Sequence, residues 1–100
     1  MKTITFDEAL HIIKDVTDCS VEGINGKIHR LTDVRDKEFL VIDVPLPSVG
    51  ECLFVRRETN KEVTVRDNGD IVFRSEIMQD PLVLEYEVEI SPLKKASYTA

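Results

Sequence analysis

Residues 51–74 read ECLFVRRETNKEVTVRDNGDIVFR, and the reading of this stretch decides the fold. It divides into three runs of strand-forming residues, 51–57, 61–66 and 70–74, joined by Glu58-Thr59-Asn60 and Asp67-Asn68-Gly69. Three-residue hairpin loops put their last residue in the left-handed region, where Gly and Asn fit best, and Asn60 and Gly69 stand there. The stretch is thus predicted to be a three-strand antiparallel meander. Val55 falls opposite Val63, and Leu53 and Val65 line up with Ile71 and Phe73. A two-residue Asn-Gly loop would pair Val63 with Arg74 and mix the faces. The opposite face reads Cys52, Phe54, Arg56, Glu62, Thr64, Arg66, Asp70, Val72 and Arg74.

Upstream, Met1 to Ile4 reads as a short lead-in. Thr5 and Glu8 have the spacing of a capping box, and Asp7 and Glu8 suit the positive end of a helix. Phe6, Ala9, Leu10, Ile13 and Val16 recur at helical spacing, with Ile12 widening that apolar face. The helix is predicted to fade near Thr17-Asp18, whose side chains favour caps and turns. Residues 19–31 read as a hairpin turning at Asn25-Gly26, and 32–38 as a charged loop. The nearly continuous apolar run 39–44 suits a strand covered on both faces, ended by Pro45 and Pro47.

Downstream, 75–81 breaks the strand pattern. Leu82, Leu84, Tyr86, Val88 and Ile90 then alternate with Glu85, Glu87 and Glu89, as in a half-buried strand that Pro92 closes. The expected fold is α+β: one N-terminal helix on a twisted, mainly antiparallel sheet. A single domain is expected over 1–92, with 93–100 a frayed tail. The apolar faces exceed what one short helix covers, which predicts a homo-oligomer.

The chain has 100 residues, 42% of them hydrophobic, enough to bury a core without disulfides or metal. Nineteen acidic against thirteen basic residues give a net charge of −6, which argues against direct nucleic-acid or anionic-membrane binding. It permits a partner with a basic face and a local cationic pocket. No run approaches the ~20 apolar residues of a spanning helix. Two cysteines and no secretory leader pattern predict a cytoplasmic protein.

Signals for catalysis are weak. His11 and His29 lack the ligand spacing of a zinc site, and no cofactor motif is present. Cys52 with His29 could imitate a thiol–imidazole pair, with nothing local to activate the thiol. One constellation stands out. In the meander register Arg56, Arg66 and Arg74 project from adjacent strands to one side, with Phe54 and Thr64 among them. Guanidinium groups bind phosphate bidentately and an aromatic ring can stack a base. The ordinary reading of the same residues is cross-strand ion pairing, Arg56 with Glu62 and Arg66 with Asp70, on a solvated face.

Phe6-Asp7-Glu8-Ala9-Leu10, then Ile13-Lys14, then Gly23-Ile24-Asn25-Gly26-Lys27 resembles the opening of the Thoeris anti-defence two family of phage proteins. That family shows a Phe-x-Glu-Ala-Leu helix, a Leu-Lys and a Gly-Trp-Asn-Gly-Lys turn. Glu76-Ile77-Met78, Asp80 and Tyr86-Glu87-Val88 echo its closing stretch, which carries Asp-Trp-Glu. The resemblance covers about a quarter of the chain. It departs from the family at Ile24 and Tyr86, which stand where tryptophan is expected, and residues 32–75 do not align. It implies a homo-oligomeric α+β sponge that holds a cyclic nucleotide-type immune signal without cleaving it. On that reading an anionic nucleotide would lie near Phe54, Arg56, Arg66 and Arg74 or near the hairpin residues Asn25, Lys27 and Arg30. The charge points to an alternative of another class, an acidic inhibitor covering the basic surface of a nuclease, CRISPR effector or other host defence protein. A phage structural or assembly protein is a third reading.

Overall fold

The computed structural model describes residues 1–46 and 52–93. The elements are β1 (Lys2–Thr5), α1 (Phe6–Ile12), β2 (Asp18–Val21), β3 (Ile24–Thr32), β4 (Glu38–Asp43), β5 (Leu53–Val55), β6 (Glu62–Val65), β7 (Ile71–Gln79) and β8 (Leu82–Ile90). All eight strands join one sheet in the order β1-β6-β7-β8-β2-β3-β4-β5, each neighbouring pair antiparallel. Over the described residues the protein is therefore mainly β with one short helix, and the α+β expectation is corrected.

The helix starts where the sequence places it. Thr5 Oγ1 accepts from the Glu8 N–H at 3.1 Å, and Glu8 Oε1 accepts from the Thr5 N–H at 2.8 Å. It stops earlier than predicted. The cap falls at Ile13, and Arg30 on β3 donates to the carbonyls of both Ile13 and Val16, the latter at 2.8 Å. Carbonyls at the end of a helix lack intrahelical donors, and an inward-facing guanidinium supplies them here. Phe6, Ala9, Leu10, Ile13 and Val16 are all buried.

The three-strand meander over 51–74 is also corrected. Its second half stands: β6 and β7 pair with Val65 opposite Ile71, and Gly69 takes φ +92°. Its first half does not. β5 pairs with β4, setting Val55 against Leu40 and Leu53 against Ile42, all four fully buried. β6 pairs instead with β1, Ile4 opposite Val63, so the lead-in is a strand. The β4–β5 pairing joins two strongly apolar runs face to face, and burial of apolar side chains outweighs a local turn preference. β4 alternates between buried and partly exposed positions and is not covered on both faces.

Asn60 has another role than a left-handed turn residue. It is 1% exposed, and its Nδ2 donates to the Arg56 carbonyl at 2.8 Å and the Arg74 carbonyl at 2.9 Å. Its Oδ1 accepts from the Arg74 N–H at 2.7 Å. The side chain thus ties the end of β5 to β7. The sheet rolls so that β5 packs against β7, and the inward faces of its two halves cover each other. The Phe6 and Phe73 rings meet edge to face inside, with centroids 5.7 Å apart. Tyr86, Val88 and Ile90 are buried in this core, while Leu82 and Val83 at the other end of the same strand are exposed.

The first hairpin turns at Glu22-Gly23 (φ 50° and 78°), not at Asn25-Gly26. Gly26 lies inside β3 opposite Cys19. A Cβ there would meet the Asp43 carbonyl oxygen at 3.0 Å, Val44 Cβ at 3.1 Å and Cys19 Sγ at 3.3 Å. Gly26→Ala is expected to cost about 1–3 kcal/mol by overpacking. A urea titration showing no loss would remove the close approach as the reason for glycine. The predicted break at 75–81 is corrected too: β7 continues to Gln79, with Ser75 buried, and the chain reverses at Asp80-Pro81. The ends of the 39–44 and 82–90 runs at Pro45 and Pro92 agree with the strand bounds. The expectations for Pro47 and for the tail beyond Leu93 lie outside the described residues.

Candidate ligand cleft

The connection between β3 and β4 is built on one carboxylate. Asp33 Oδ1 accepts from the Arg35 N–H at 2.8 Å and the Lys37 N–H at 3.1 Å, and the Asp33 N–H donates to the Lys37 carbonyl at 3.0 Å. The Lys37 and Arg35 backbone N–H groups hold the Asp33 carboxyl below the usual carboxylate range. Such side-chain-to-backbone bonding folds five residues into a compact turn, with Asp36 at φ 60°. The turn leaves the Arg35 side chain 70% exposed, its guanidinium 3.5 Å from Asp33.

Because β5 pairs with β4, the residues after β5 emerge beside this turn. Arg56 lies with its guanidinium 5.1 Å from the Phe54 ring centroid. Arg57 stacks over Phe6 at 4.9 Å and donates to Asp7 Oδ1 at 2.6 Å, while its buried Nε has no hydrogen-bond partner. Cation–π stacking and an ion pair both fix the direction of a guanidinium.

Between the two segments opens a cleft of about 370 Å³, lined by Phe39, by Arg35, Lys37, Arg56 and Arg57, and by Asp33, Glu38 and Glu58. Four cations face three carboxylates, in a chain whose net charge is −6. The volume is at the small end for ligand pockets. An aromatic surface beside several guanidinium groups can stack a base and grip a phosphate.

The predicted site residues are dispersed. Arg56 lines the cleft, and Phe54 supports it. Arg66 and Arg74 share the outer face of β6 and β7. Arg66 pairs with Glu87 at 3.2 Å and Glu89 at 2.5 Å, not with Asp70, and Arg74 stands opposite Glu87. Lys27 pairs with Asp18 across β2 and β3, and Asn25 lines a separate groove with Asp18, Lys27 and Asp43. Arg30 is turned inward onto the helix end.

Sequence reasoning missed Arg35, Lys37, Phe39 and Arg57. Arg35 and Lys37 are legible as cations, but only the β4–β5 pairing brings them to Arg56 and Arg57. Burial pushes the Cys19 thiol up to about 11, with the Asp18 charge adding to it, so it is no nucleophile at neutral pH. β4 separates His29 from the β5 side, where Cys52 lies. Among the described residues no His, Cys, Asp and Glu side chains are grouped as a metal ion requires, and no helix is long and apolar enough to cross a membrane.

No family model matches the chain, and no solved structure matches it. The chain is 35% identical over 74 residues to a lysine–tRNA ligase of Thermosipho melanesiensis. The match covers 66% of this chain and 15% of that protein, so the chain spans a small part of its relative's length.

Proposed function

We propose that this is a non-enzymatic binding protein that holds a small anionic nucleotide in the cleft between the β3–β4 turn and the end of β5. The observation that carries this reading is the convergence of Arg35, Lys37, Arg56 and Arg57 around Phe39 in an otherwise acidic protein. The likeness of residues 6–27 to phage immune-signal sponges supports a biological role of the same kind: sequestration of a cyclic nucleotide-type signal in an infected cell, without cleavage. The oligomer implied by that likeness belongs to the same proposal.

The test is a binding panel of cyclic nucleotides, cyclic ADP-ribose isomers and a tRNA, read by calorimetry. The tRNA enters because the matched relative is a lysine–tRNA ligase. Bound material is then released by heat and analysed. Intact cyclic nucleotide is expected, with Arg56→Glu weakening its binding at least ~10-fold through a lost charge-assisted hydrogen bond and added repulsion. Lys27→Gln, at the far end of β3, should leave affinity unchanged. A hydrolysed product would make the protein an enzyme. Binding of tRNA alone would move the ligand class to nucleic acid, and equal loss from both variants would displace the cleft.

A further inference from the structure

The far half of the β7–β8 hairpin runs on past the strands that flank its near half, with Ile77 and Leu84 packed back against the core. β8 meets β2 only at Glu89 and Val88, and β6 meets β7 only at Val72 and Ile71. On the β7 side, Asn60 occupies the backbone groups of Arg74. Beyond Ser75 and Tyr86 the two strands pair with each other and with no other strand among the described residues.

This arm is both apolar and acidic. Met78 is 73% exposed, Leu82 62% and Val83 52%. Residues 75–86 contain Glu76, Asp80 and Glu85 and no Lys or Arg. Glu76 and Glu85 stand directly opposite each other, and neither has an ion pair among the described residues. Like charges placed so are unfavourable, and a cation between them would relieve the repulsion.

We infer that the β8 edge of this arm takes up an extended, basic segment of another protein as an added strand. Unpaired strand edges bind extended peptides through main-chain hydrogen bonds, with alternate side chains setting specificity. The alternation on β8 defines the guest. Val83, Glu85 and Glu87 share one face, and Leu82, Leu84 and Tyr86 the other. The complementary strand alternates Lys or Arg with Val, Ile or Leu. A second copy of this chain fits poorly. A symmetric antiparallel pairing of β8 edges centred on Glu85 or Tyr86 sets Glu85 against the partner's Glu85 or Glu87, and one centred on Leu84 sets it against the partner's Val83 with no cation beside it.

The experiment titrates full-length protein with three fluorescent eight-residue peptides. One alternates Lys with Val, one alternates Glu with Val, and one is the Lys–Val sequence with two central prolines. Polarisation is expected to rise with the Lys–Val peptide alone, and amide NMR shifts should cluster at residues 76–87. Glu85→Lys should weaken this binding at least tenfold, and Glu76→Gln by a smaller factor, while circular dichroism confirms both variants folded. Three results each overturn the inference: no Lys–Val binding at millimolar peptide, undiminished binding by the proline peptide, or a stable dimer of the free protein that Glu85→Lys abolishes. Cleft binding of a nucleotide is measured separately on Arg56→Glu, so the two readings fail independently.

Discussion

Asn60→Ala is expected to lower the unfolding free energy by on the order of 3–5 kcal/mol. The substitution strips the Arg56 carbonyl and both backbone groups of Arg74 of their partner in a site where Asn60 is 1% exposed. Each of these part-buried backbone groups loses a partner, at up to about 1–3 kcal/mol where water cannot replace it. Asn60→Asp sharpens the test. Its carboxylate keeps the acceptor for the Arg74 N–H but turns a second oxygen toward two carbonyls. That repulsion raises the folded-state pKa of the new carboxyl above its unfolded value near 3.9. A raised folded pKa contributes stability that is full below the unfolded pKa and lost as pH rises through the folded one. The Asn60→Asp variant is therefore expected to approach wild type in acid and fall away from it toward neutrality. Urea titrations at two pH values decide it. A loss under about 1 kcal/mol for Asn60→Ala would mean that the roll of the sheet stands without this clamp.

Phe73→Ala should be as damaging, at about 3–5 kcal/mol, because the ring is fully buried and its removal leaves a cavity in the core. Its partner Phe6 also carries the Arg57 guanidinium over its ring. In a double-mutant cycle, Phe6→Leu and Phe73→Leu should couple by about 0.5–1.5 kcal/mol for the edge-to-face contact. Thermal melts of the four proteins give the coupling. Additive effects would show that the two rings share a core without recognising each other.

What the sequence disclosed, it disclosed through local chemistry. The capping box at Thr5 and Glu8 needs four residues, the Asp67-Asn68-Gly69 turn three, and the alternation of β8 only itself. The errors came where a distant partner outweighed a local preference. Asn25-Gly26 is the stronger turn signal, yet turning there would set Val21 opposite Arg30. Turning at Glu22-Gly23 keeps Cys19 and Val21 on the buried side with Gly26 and Ile28. The meander failed for the same reason: β5 had to choose between a near neighbour and β4, and the local pattern suits both. That choice also decided the cleft. Arg56 is visible in the sequence as a cation, but its company is not, because Phe39 and Lys37 reach it only through the β4–β5 ladder. Asn60 reads in the sequence as backbone chemistry, yet its side chain does the binding.

The pairing of β1 with β6 has a consequence for how the chain is made. Lys2 to Thr5 find their partners about sixty residues later, at Glu62 to Val65. A ribosome adding about 5–20 residues per second leaves the first strand waiting several seconds for its neighbour. During that wait β2, β3 and β4 can already form, since each pairs with the next along the chain. Ile4 and the apolar side of α1 stay uncovered until the second half arrives. The nascent protein is thus a three-strand sheet trailing a sticky leader, which is the form a chaperone would meet.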